Sequence, residues 1–452
     1  MKILFVRPKP SAETIGLQHV MIVEPLELEV LATLIEKEHQ AVIIDLIIEK
    51  QDISYFLHKE KPDIVCLTGY ITNVPGIIQC CVTTKKINSK IITIVGGVHC
   101  EVCPEDFNHP NIDFRVLRNA TTVFSFLIRA VQEQKAVPKG VLIYNQPLCV
   151  SDLPEFNFYF PIPNRIYTRK YRKRYFYIFH HKVALVKTSF GCPYKCHFCF
   201  CRKITQDNYY ERSLTEVVDE IKQIAEKEIY IVDDDFLANR KRVLNFISLN
   251  RKFKLAKNYL VYGRADFIAH NPDVIKMFRD VGLKTVIVGI ESFKDKDLVD
   301  LGKKTTVKTQ KEALLILKRF NVDCYVTMIA SPDWSKEDFE KNRIDLLALG
   351  VHYLNLQPFT PLPGIDIKVD DDKLLFFRDQ YEKWDLAHVI VKPSKMSLSE
   401  YYSEILETYL RILYQPKILF RYLTRYSFAQ LWSMFCGSYR VYRQYRQRQK
   451  EA

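Results

Sequence analysis

The sequence lacks the long apolar segments and the leader that a membrane-spanning or exported protein needs. None of its stretches reaches 18 consecutive apolar residues, so we expect no transmembrane helix. The first eight residues, MKILFVRP, have no hydrophobic h-region and no small-residue cleavage site, and are typical of a first β-strand. These absences predict a cytoplasmic protein.

Disulfide-rich and disordered classes are also excluded. The 12 cysteines are scattered along 452 residues with no secretory signal, which does not match a disulfide scaffold. An apolar content of 48% and a charged content of 26% are ordinary for a globular protein. We find no internal repeat and no low-complexity tract, and the length suits two or three domains.

The charge balance is the first informative feature. A net charge of +13 arises from 66 basic and 53 acidic residues. This excess favours anionic partners, namely phosphorylated substrates, nucleic acid or an anionic membrane surface, and does not choose among them.

Residues 1–140 alternate short apolar runs with helical patterns, which predicts a doubly wound, Rossmann-like α/β domain with a parallel sheet. The predicted strands are 2–6, 41–47, 64–68 and 91–95, with helices at 26–37 and 76–87 among them.

The remainder of the chain divides into three parts. Residues 141–182 form a proline-punctuated linker that ends in a basic, aromatic run at 165–182. Six further strand–helix units in residues 183–365 predict a partial (β/α)6 TIM-type barrel, whose chemistry lies at the carboxyl ends of its strands. Residues 366–452 have mainly helical patterns.

The strongest motif follows the first predicted barrel strand. Cys192, Cys196 and Cys199 have the spacing C-x3-C-x2-C. Three such thiolates can bind three irons of one [4Fe–4S] cluster and leave the fourth iron open. The alternative is a zinc site, for which Cys201 or His197 would supply a fourth ligand.

This motif, with Phe198 directly before its third cysteine, resembles the radical S-adenosylmethionine (SAM) superfamily. The resemblance implies that the open iron chelates the amino and carboxylate groups of SAM. It also implies that an electron, from a donor such as flavodoxin or ferredoxin, cleaves SAM to a 5′-deoxyadenosyl radical that abstracts hydrogen from the substrate.

Later strand ends match the family in order. Acidic residues after the second strand occupy the place where the family contacts the SAM amino group, and a carboxylate can accept hydrogen bonds from an ammonium. The alternative is that these aspartates cap the next helix. The SAM contacts that the resemblance implies are Phe198, Asp233, Asp234, Asp235, Arg264, Gly289, Glu291 and Ser292.

The amino-terminal domain resembles the cobalamin (B12)-binding domain that precedes many radical SAM modules. Small residues at strand ends would let the nucleotide tail of cobalamin enter the edge of the sheet, where doubly wound domains bind ligands. The implied contacts are Thr68, Gly69, Tyr70, Thr72, Asn73, Gly96, Gly97 and Val98.

Two features depart from the full cobalamin pattern. The chain has no Asp-x-His-x-x-Gly motif, so we expect no histidine ligand below cobalt and interpret His99 as a loop residue near a cofactor phosphate or solvent. A Gly-Glu-Gly-Glu-like stretch is replaced at residues 116–122, which keeps a cofactor-free relic as an alternative. Cys100 and Cys103 are interpreted as buried small hydrophobic residues in preference to a second metal site.

The carboxyl-terminal stretch 411–450 has nine lysines or arginines, no acid and many aromatic residues, among them Trp432. It fits a peripheral contact with the inner face of the membrane. Base stacking on nucleic acid is a second interpretation, which the lack of an RNA-binding module disfavours. The third is a helix packed on the barrel with solvated arginines.

The sequence thus predicts a cobalamin-dependent radical SAM enzyme that methylates an unactivated carbon of a small-molecule or lipid-like substrate. One alternative is C–C coupling, cyclisation or rearrangement without cobalamin. Another is a non-catalytic metal- or nucleic-acid-binding protein. Beyond the cofactor contacts, no catalytic residue is predicted.

Overall fold

The computed structural model describes residues 1–149, 153–154 and 158–452. Residues 150–152 and 155–157 of the predicted linker lie outside the described residues. The described chain contains two six-stranded sheets, a three-stranded sheet and a two-stranded sheet.

Seventeen strands are described. They are β1 Lys2–Arg7, β2 Met21–Ile22, β3 Gln40–Asp45, β4 Ile64–Thr68, β5 Ile92–Gly96, β6 Phe114–Val116, β7 Val141–Ile143, β8 Phe176–Tyr177, β9 His180–His181, β10 Ala184–Val186, β11 Ser189–Phe190, β12 Tyr210–Glu211, β13 Glu228–Ile231, β14 Asn258–Tyr262, β15 Leu283–Glu291, β16 Asp323–Ala330 and β17 Tyr353–Pro358.

Sixteen α-helices are described. They are α1 Leu26–Ile35, α2 Ile53–Glu60, α3 Val74–Ile87, α4 Val98–Val102, α5 Ala120–Glu133, α6 Cys201–Ile204, α7 Leu214–Gln223, α8 Arg240–Phe253, α9 Ala265–His270, α10 Pro272–Asp280, α11 Asp295–Asp300, α12 Val307–Arg319, α13 Lys336–Leu349, α14 Leu398–Leu413, α15 Pro416–Arg425 and α16 Phe428–Glu451.

The amino-terminal sheet has the order β3-β1-β4-β5-β6-β7. Its first five strands are parallel, and the edge strand β7 runs antiparallel to β6. Both faces are buried, because Leu4 and Val6 of β1 pack under α2 and α3 while Ile3 and Phe5 pack under α1 and α5. This confirms the predicted doubly wound domain. Its order reverses between β1 and β4, the point at which such sheets bind ligands.

The second sheet has the order β10-β13-β14-β15-β16-β17, with all neighbours parallel. Its outer face packs against the helices in the largest apolar core, and its inner face carries Leu185, Tyr230, Leu260 and Ile287. This confirms the six strand–helix units of the partial barrel.

The linker contributes a sheet that the sequence did not predict, in which β8 pairs with β9 and with β2 from the first domain. Its cations are structural. Arg172 pairs with the buried Glu24, and Arg165 lies 2.7 Å from the buried Glu220. The Glu24 carboxylate also accepts a hydrogen bond from the backbone NH of Leu185 at 2.5 Å, which ties the first domain to the barrel.

The predicted helical carboxyl-terminal region consists of α14, α15 and α16. Ser397 and Ser427 form capping boxes at the starts of α14 and α16, which fix where these helices begin. Helix α16 packs along α14. Among the described residues, no helix is both long and apolar enough to cross a membrane.

Candidate cofactor site

The three cysteines lie on a loop that leaves the carboxyl end of the first barrel strand through β11. The loop begins at Gly191, where φ is 75° and a Cβ would come within 2.1 Å of Asn208 O, so this position requires glycine. It is held from outside at His197, whose backbone NH donates to Leu301 O at 3.0 Å. Cys192, Cys196 and Cys199 are all partly buried.

The spread of ligand atoms on this loop does not suit a single zinc ion. A zinc ion holds thiolate sulfur about 2.3 Å away, so its ligands lie within about 4.6 Å of one another. Within the described residues, no three ligand atoms of the loop, including those of Cys201 and His197, come within 4.8 Å of each other. Separate irons of one cluster fit this spacing better.

Burial and neighbouring groups act in opposite directions on the thiols of the loop. Burial raises the pKa of Cys192 to about 12 and also raises that of Cys196, so these thiols need nearby positive charge to ionise. The charges of Lys303 and Arg264 lower the pKa of Cys196 against the effect of burial, and Nη1 of Arg264 lies 3.6 Å from its sulfur. A hydrogen bond from Cys201 lowers the pKa of Cys199.

The three aspartates after β13 have different environments. Asp233 is buried and accepts hydrogen bonds from the backbone NH groups of Thr188 and Ser189, at 2.6 and 3.0 Å. It therefore joins two strand ends of the barrel. Asp234 is partly exposed, with one oxygen 3.9 Å from Lys187 Nζ.

Asp235 offers a buried acceptor with no partner. Its Oδ1 accepts from Leu237 NH at 3.0 Å, so the predicted capping role is present on a short turn of 3-10 helix. Its Oδ2 is buried without a hydrogen-bond partner among the described residues. Burial raises the pKa of Asp235 to about 7 against the lowering effect of Arg264, and its charge acts on Cys192. An ammonium group placed beside the cysteine loop would satisfy this oxygen.

Arg264, at the end of β14, contacts the cysteine loop. Its guanidinium lies 4.0 Å from the ring centre of Tyr194, and Nε donates to Asp266 at 2.9 Å. Nη2 donates to Lys303 O at 2.5 Å. The structure thus pairs Arg264 with a nearby acid, and its contact with SAM stays a prediction.

The last predicted SAM positions surround a buried ion pair. Lys303 Nζ lies 2.5 Å from Glu291 Oε1, and both side chains are buried. A Cβ on Gly289 would come within 2.3 Å of the Glu291 carboxylate, so this glycine makes room for the ion pair. Ser292 donates to Asp297 at 2.6 Å and is structural. Phe198 has its ring 5.9 Å from Lys303 Nζ.

Lys303 is the site residue that sequence reasoning missed. It lies in the segment LGKKTT, residues 301–306, whose backbone also holds His197 and Arg264. The segment was recognisable, but nothing in the sequence shows which of its two lysines is buried.

The predicted cobalamin contacts lie at the carboxyl edge of the amino-terminal sheet, after β4 and β5. A Cβ on Gly97, where φ is 92°, would meet Thr68 Oγ1 at 2.2 Å, and one on Gly69 would meet Asn73 Cβ at 2.5 Å. Gly97 therefore lets the ends of β4 and β5 approach each other, Gly69 makes room for Asn73 within the loop after β4, and the protein itself fills the space that they leave. Gly96 and Thr72 are partly buried, and Val98 begins α4.

This edge faces the barrel. Helix α4 packs on α6, which directly follows the cysteine loop. The side chain of Tyr70 is 60% exposed, although Glu27, Cys201, Tyr262 and Asp234 all act on its hydroxyl. Burial within the protein and these groups raise the pKa of Tyr70. Tyr70 is thus an exposed side chain of the first domain that lies close to residues of the barrel.

The expectation that His99 is a loop residue near a cofactor phosphate or solvent is wrong. His99 is buried in α4, and its Nε2 lies 2.7 Å from Asp106 Oδ2, so it is neither a loop residue nor near solvent. Its ring packs against Phe107. Cys100 and Cys103 are buried, as expected of small hydrophobic residues. His99, Cys103 and Asp106 place possible ligand atoms within 4.8 Å of one another, and the His99–Asp106 hydrogen bond accounts for that proximity.

Two family models match the chain along the two sheets. The model of the radical SAM superfamily matches residues 186–343, and that of the B12 binding domain matches residues 14–128. The chain carries a radical SAM domain and a B12 binding domain. The [4Fe–4S] cluster, SAM and cobalamin are therefore its cofactors, and the prediction of an enzyme is confirmed.

Curated relatives align along nearly the whole of this radical SAM enzyme. Hopanoid C-3 methylase of Methylococcus capsulatus is 26% identical over 428 residues, covering 92% of the chain and 80% of the relative. An uncharacterized methyltransferase of Pyrococcus horikoshii is 26% identical over 448 residues, covering 93% of the chain and 94% of the relative.

Solved structures show the same fold at low identity. The radical SAM methyltransferase TsrM of Kitasatospora setae, with cobalamin and a [4Fe–4S] cluster bound, has a TM-score of 0.63 at 16% identity, covering 81% of this radical SAM enzyme and 73% of TsrM. The cobalamin-dependent enzyme OxsB has a TM-score of 0.60 at 16% identity, covering 85% and 55%. These likenesses confirm the predicted succession of a Rossmann-like domain, a partial barrel and a helical region.

Proposed function

We propose that the enzyme transfers a methyl group to an unactivated carbon of a lipid-like molecule. The observation that carries this proposal is the exposed side chain of Tyr70, which follows a strand end of the cobalamin-binding sheet and interacts with Cys201 and Asp234 beside the cysteine loop. Two cofactors held at these two places both face one substrate. Curated relatives include methylases of hopanoids, which are lipids, at C-3 and C-2.

In this proposal Cys192, Cys196 and Cys199 hold the cluster. The cluster and SAM supply a hydrogen-abstracting radical, and cobalamin supplies the methyl group. Asp235 would hold the ammonium of SAM through its unpartnered Oδ2, because this buried carboxylate oxygen beside Cys192 has no donor among the described residues. Asp234 stands at the mouth of the same site.

Arg264 and Lys303 place positive charge beside the cysteine loop. Their positive charges lie next to Cys196 and stabilise its thiolate. Glu291 holds Lys303 in place at 2.5 Å. Arg264 and Lys303 are positioning residues in our account, because their polar atoms already form hydrogen bonds or ion pairs within the protein.

On the cobalamin side, we propose that the strand ends at residues 68–73 and 96–98 form the floor on which the cofactor lies. Gly97 lets the two ends approach closely, and Gly69 leaves room for Asn73. Glu27 acts on Tyr70 above this floor, and Glu101 follows Gly97 on α4. Burial raises the pKa of Glu101 to about 8, so this carboxyl is protonated at neutral pH and can donate a hydrogen bond to a cofactor amide.

We also propose a peripheral membrane contact through α15 and α16. Phe428, Trp432, Phe435 and Tyr439 form a ladder of exposed rings on one face of α16, with successive ring centres 6.0–6.3 Å apart. Exposed cations of the same helices, such as Arg443, suit an anionic surface. We further propose that an electron donor such as flavodoxin or ferredoxin reduces the cluster.

The test is methyl transfer from SAM labelled with deuterium in its methyl group. The anaerobically reconstituted enzyme is given a low-potential reductant and vesicles that contain a hopanoid, and the lipids are analysed by mass spectrometry. We expect labelled methyl in the hopanoid together with 5′-deoxyadenosine, and neither product with Cys199→Ala. Formation of 5′-deoxyadenosine with no labelled methyl in any lipid of the vesicles would contradict the proposed function.

A further inference from the structure

A large apolar cavity lies outside the cofactor site. It has a volume of about 600 Å³ and is enclosed by the starts of β16 and β17, the turn at Ile178–Phe179 and the helices α14, α15 and α16. Leucine, phenylalanine and tyrosine side chains make most of its wall, and no charged residue of the described chain lines it. We call it the C-terminal cavity. Its size and lining are those of a pocket for a mostly apolar small molecule.

The inner end of the C-terminal cavity reaches the inner face of the barrel at Tyr325. In the sheet register, Tyr262 aligns with Ile287, Ile287 with Tyr325, and Tyr325 with Tyr353. Side chains aligned in this way point to the same face of a sheet. One row of side chains therefore leads from the cavity to Tyr262, two residues before Arg264, which contacts the cluster loop.

Tyrosines also connect these two points inside the barrel. The ring of Tyr325 packs edge-on against that of Tyr177 at 6.2 Å, Tyr177 lies 4.9 Å from Tyr230, and Tyr230 lies 6.1 Å from Tyr262. Tyr325 thus belongs to both the cavity wall and the barrel interior. It is the first of four contacting tyrosine rings that lead from the cavity to the cofactor site.

The outer end of the cavity opens between α14, α15 and α16. Leu410, Leu423 and Phe435 line the cavity and are also exposed, by 40%, 69% and 53%. Phe435 belongs to the ladder of exposed rings on α16. The mouth of the cavity therefore lies within the apolar face that carries the proposed membrane contact.

The charges around the mouth of the cavity indicate that a ligand enters from an anionic surface. Residues 411–450 contain nine lysines or arginines and no acid. Arg421 and Arg425 are paired with Asp323, whereas Lys417, Arg440 and Arg443 are exposed. An apolar mouth surrounded by cations is complementary to an anionic bilayer.

We infer that the C-terminal cavity holds the hydrocarbon body of the substrate, which enters from the bilayer between α15 and α16 and passes Tyr325 to reach the cofactors. This inference rests on the proposed function. The Asn355 amide lines the cavity and makes no side-chain hydrogen bond within the described part of the chain, so it offers one polar contact that orients the bound molecule.

The test is binding of parinaric acid, a conjugated-polyene fatty acid whose fluorescence rises in apolar surroundings, to the reconstituted enzyme. Leu410→Trp and Ser438→Trp fill the cavity from α14 and α16. The matched control is Phe420→Trp, on an exposed position of α15 outside the cavity lining. We expect each filling variant to bind the probe about tenfold more weakly than the wild type or worse, because the added ring occupies the ligand volume. The control is expected to bind normally.

Formation of 5′-deoxyadenosine without substrate reports the cofactor site separately, and we expect it to be unchanged in both filling variants. Wild-type binding in these variants, or no probe binding by the wild-type enzyme, would overturn the inference even if methyl transfer to lipid occurs. Probe binding that the variants lose, with no methyl transfer, would support the cavity and reject the proposed reaction. Should a variant fail to fold, a diazirine-bearing alkyl probe on the wild-type enzyme gives the answer. Labels on α14 and α16 support the inference, and labels confined to other segments contradict it.

Discussion

Lys303 and Glu291 form a buried ion pair, with Nζ 2.5 Å from Oε1, directly behind the cysteine loop. Gly289 leaves the space for this pair, and the Lys303 backbone oxygen accepts a hydrogen bond from Arg264. Because the charge of Lys303 also acts on Cys196, the pair links the stability of the barrel to the cluster site.

Replacing Lys303 with methionine leaves the Glu291 carboxylate buried and unpaired. We expect a loss of about 3–5 kcal/mol in the free energy of unfolding, the usual cost of breaking a buried pair. Denaturant unfolding measures this loss of stability, and iron content after reconstitution measures the effect on the cluster site. The neighbouring exposed lysine gives the control, Lys304→Met, which should change neither. Equal stability of the two variants would show that the pair has no structural role.

Asp235→Asn tests the proposed SAM contact. Asparagine keeps an oxygen for Leu237 NH but replaces the free carboxylate oxygen, so we expect SAM affinity to fall by about tenfold or more while iron content is unchanged, since a hydrogen bond to a charged group contributes about 1.5–3 kcal/mol. Asp234→Asn, on the partly exposed neighbour, should have a smaller effect. Equilibrium dialysis with labelled SAM measures both, and a larger loss in Asp234→Asn would reassign the contact.

The same carboxyl predicts a pH dependence. Burial raises the pKa of Asp235 to about 7, above that of an unfolded aspartate near about 4. In the SAM-free protein its stabilising contribution is therefore complete below about pH 4 and is lost as the pH rises towards 7. Binding of the SAM ammonium favours the charged form, so SAM affinity should rise between about pH 5.5 and 7.5. This rise should be much smaller in Asp235→Asn, and an equal rise in that variant would assign it to another group.

Cys201→Ala separates a cluster from a zinc site. Cys201 donates a hydrogen bond to Cys199 and is not one of the three ligands in our account. The variant should keep its iron and its SAM cleavage, with a cluster signal altered in electron paramagnetic resonance spectra, whereas Cys199→Ala should lose all three. A Cys201→Ala variant that binds no metal would indicate four protein ligands and hence zinc.

Membrane contact depends on the ladder of exposed rings. Replacing both Phe428 and Trp432 with alanine removes two exposed apolar side chains, and we expect binding to anionic vesicles to weaken by at least about tenfold, since at about 25 cal/mol per Å² that loss corresponds to only about 55 Å² of apolar area. Sedimentation with vesicles measures this. Phe126→Ala, at an exposed position of the first domain, is the control, and added salt should weaken binding further. Neutral vesicles that bind as well as anionic ones would contradict the role of the cations.

Much of this architecture could be predicted because local patterns determine it. The strands at 64–68 and 323–330 are apolar runs with clear limits, and the three cysteines are adjacent in sequence. Contacts between distant segments could not be predicted. The two-residue strands β2 and β8 are too short for any periodicity, and the cations of the linker find their buried partner Glu24 only in the folded chain.

The residues of the site also divide into those that local sequence indicates and those whose contacts appear only in the fold. The sequence indicated Asp233–Asp235 as a group, but only the fold shows that Asp233 joins strand ends while Asp235 keeps a free oxygen. His99 was assigned wrongly because a Gly-Gly turn suggested a loop, whereas a helix begins directly after it and buries the ring. The C-terminal cavity draws its wall from several separate segments and has no sequence signature.

The most direct test of the central claim, that one chain holds the cluster and cobalamin at two facing edges, is the metal content of the anaerobically reconstituted enzyme after cobalamin is added and the excess removed. The account predicts about four irons and about one cobalt per chain, with cobalt retained in Cys199→Ala although its cluster is lost. Iron without retained cobalt, or zinc in place of iron, would contradict it.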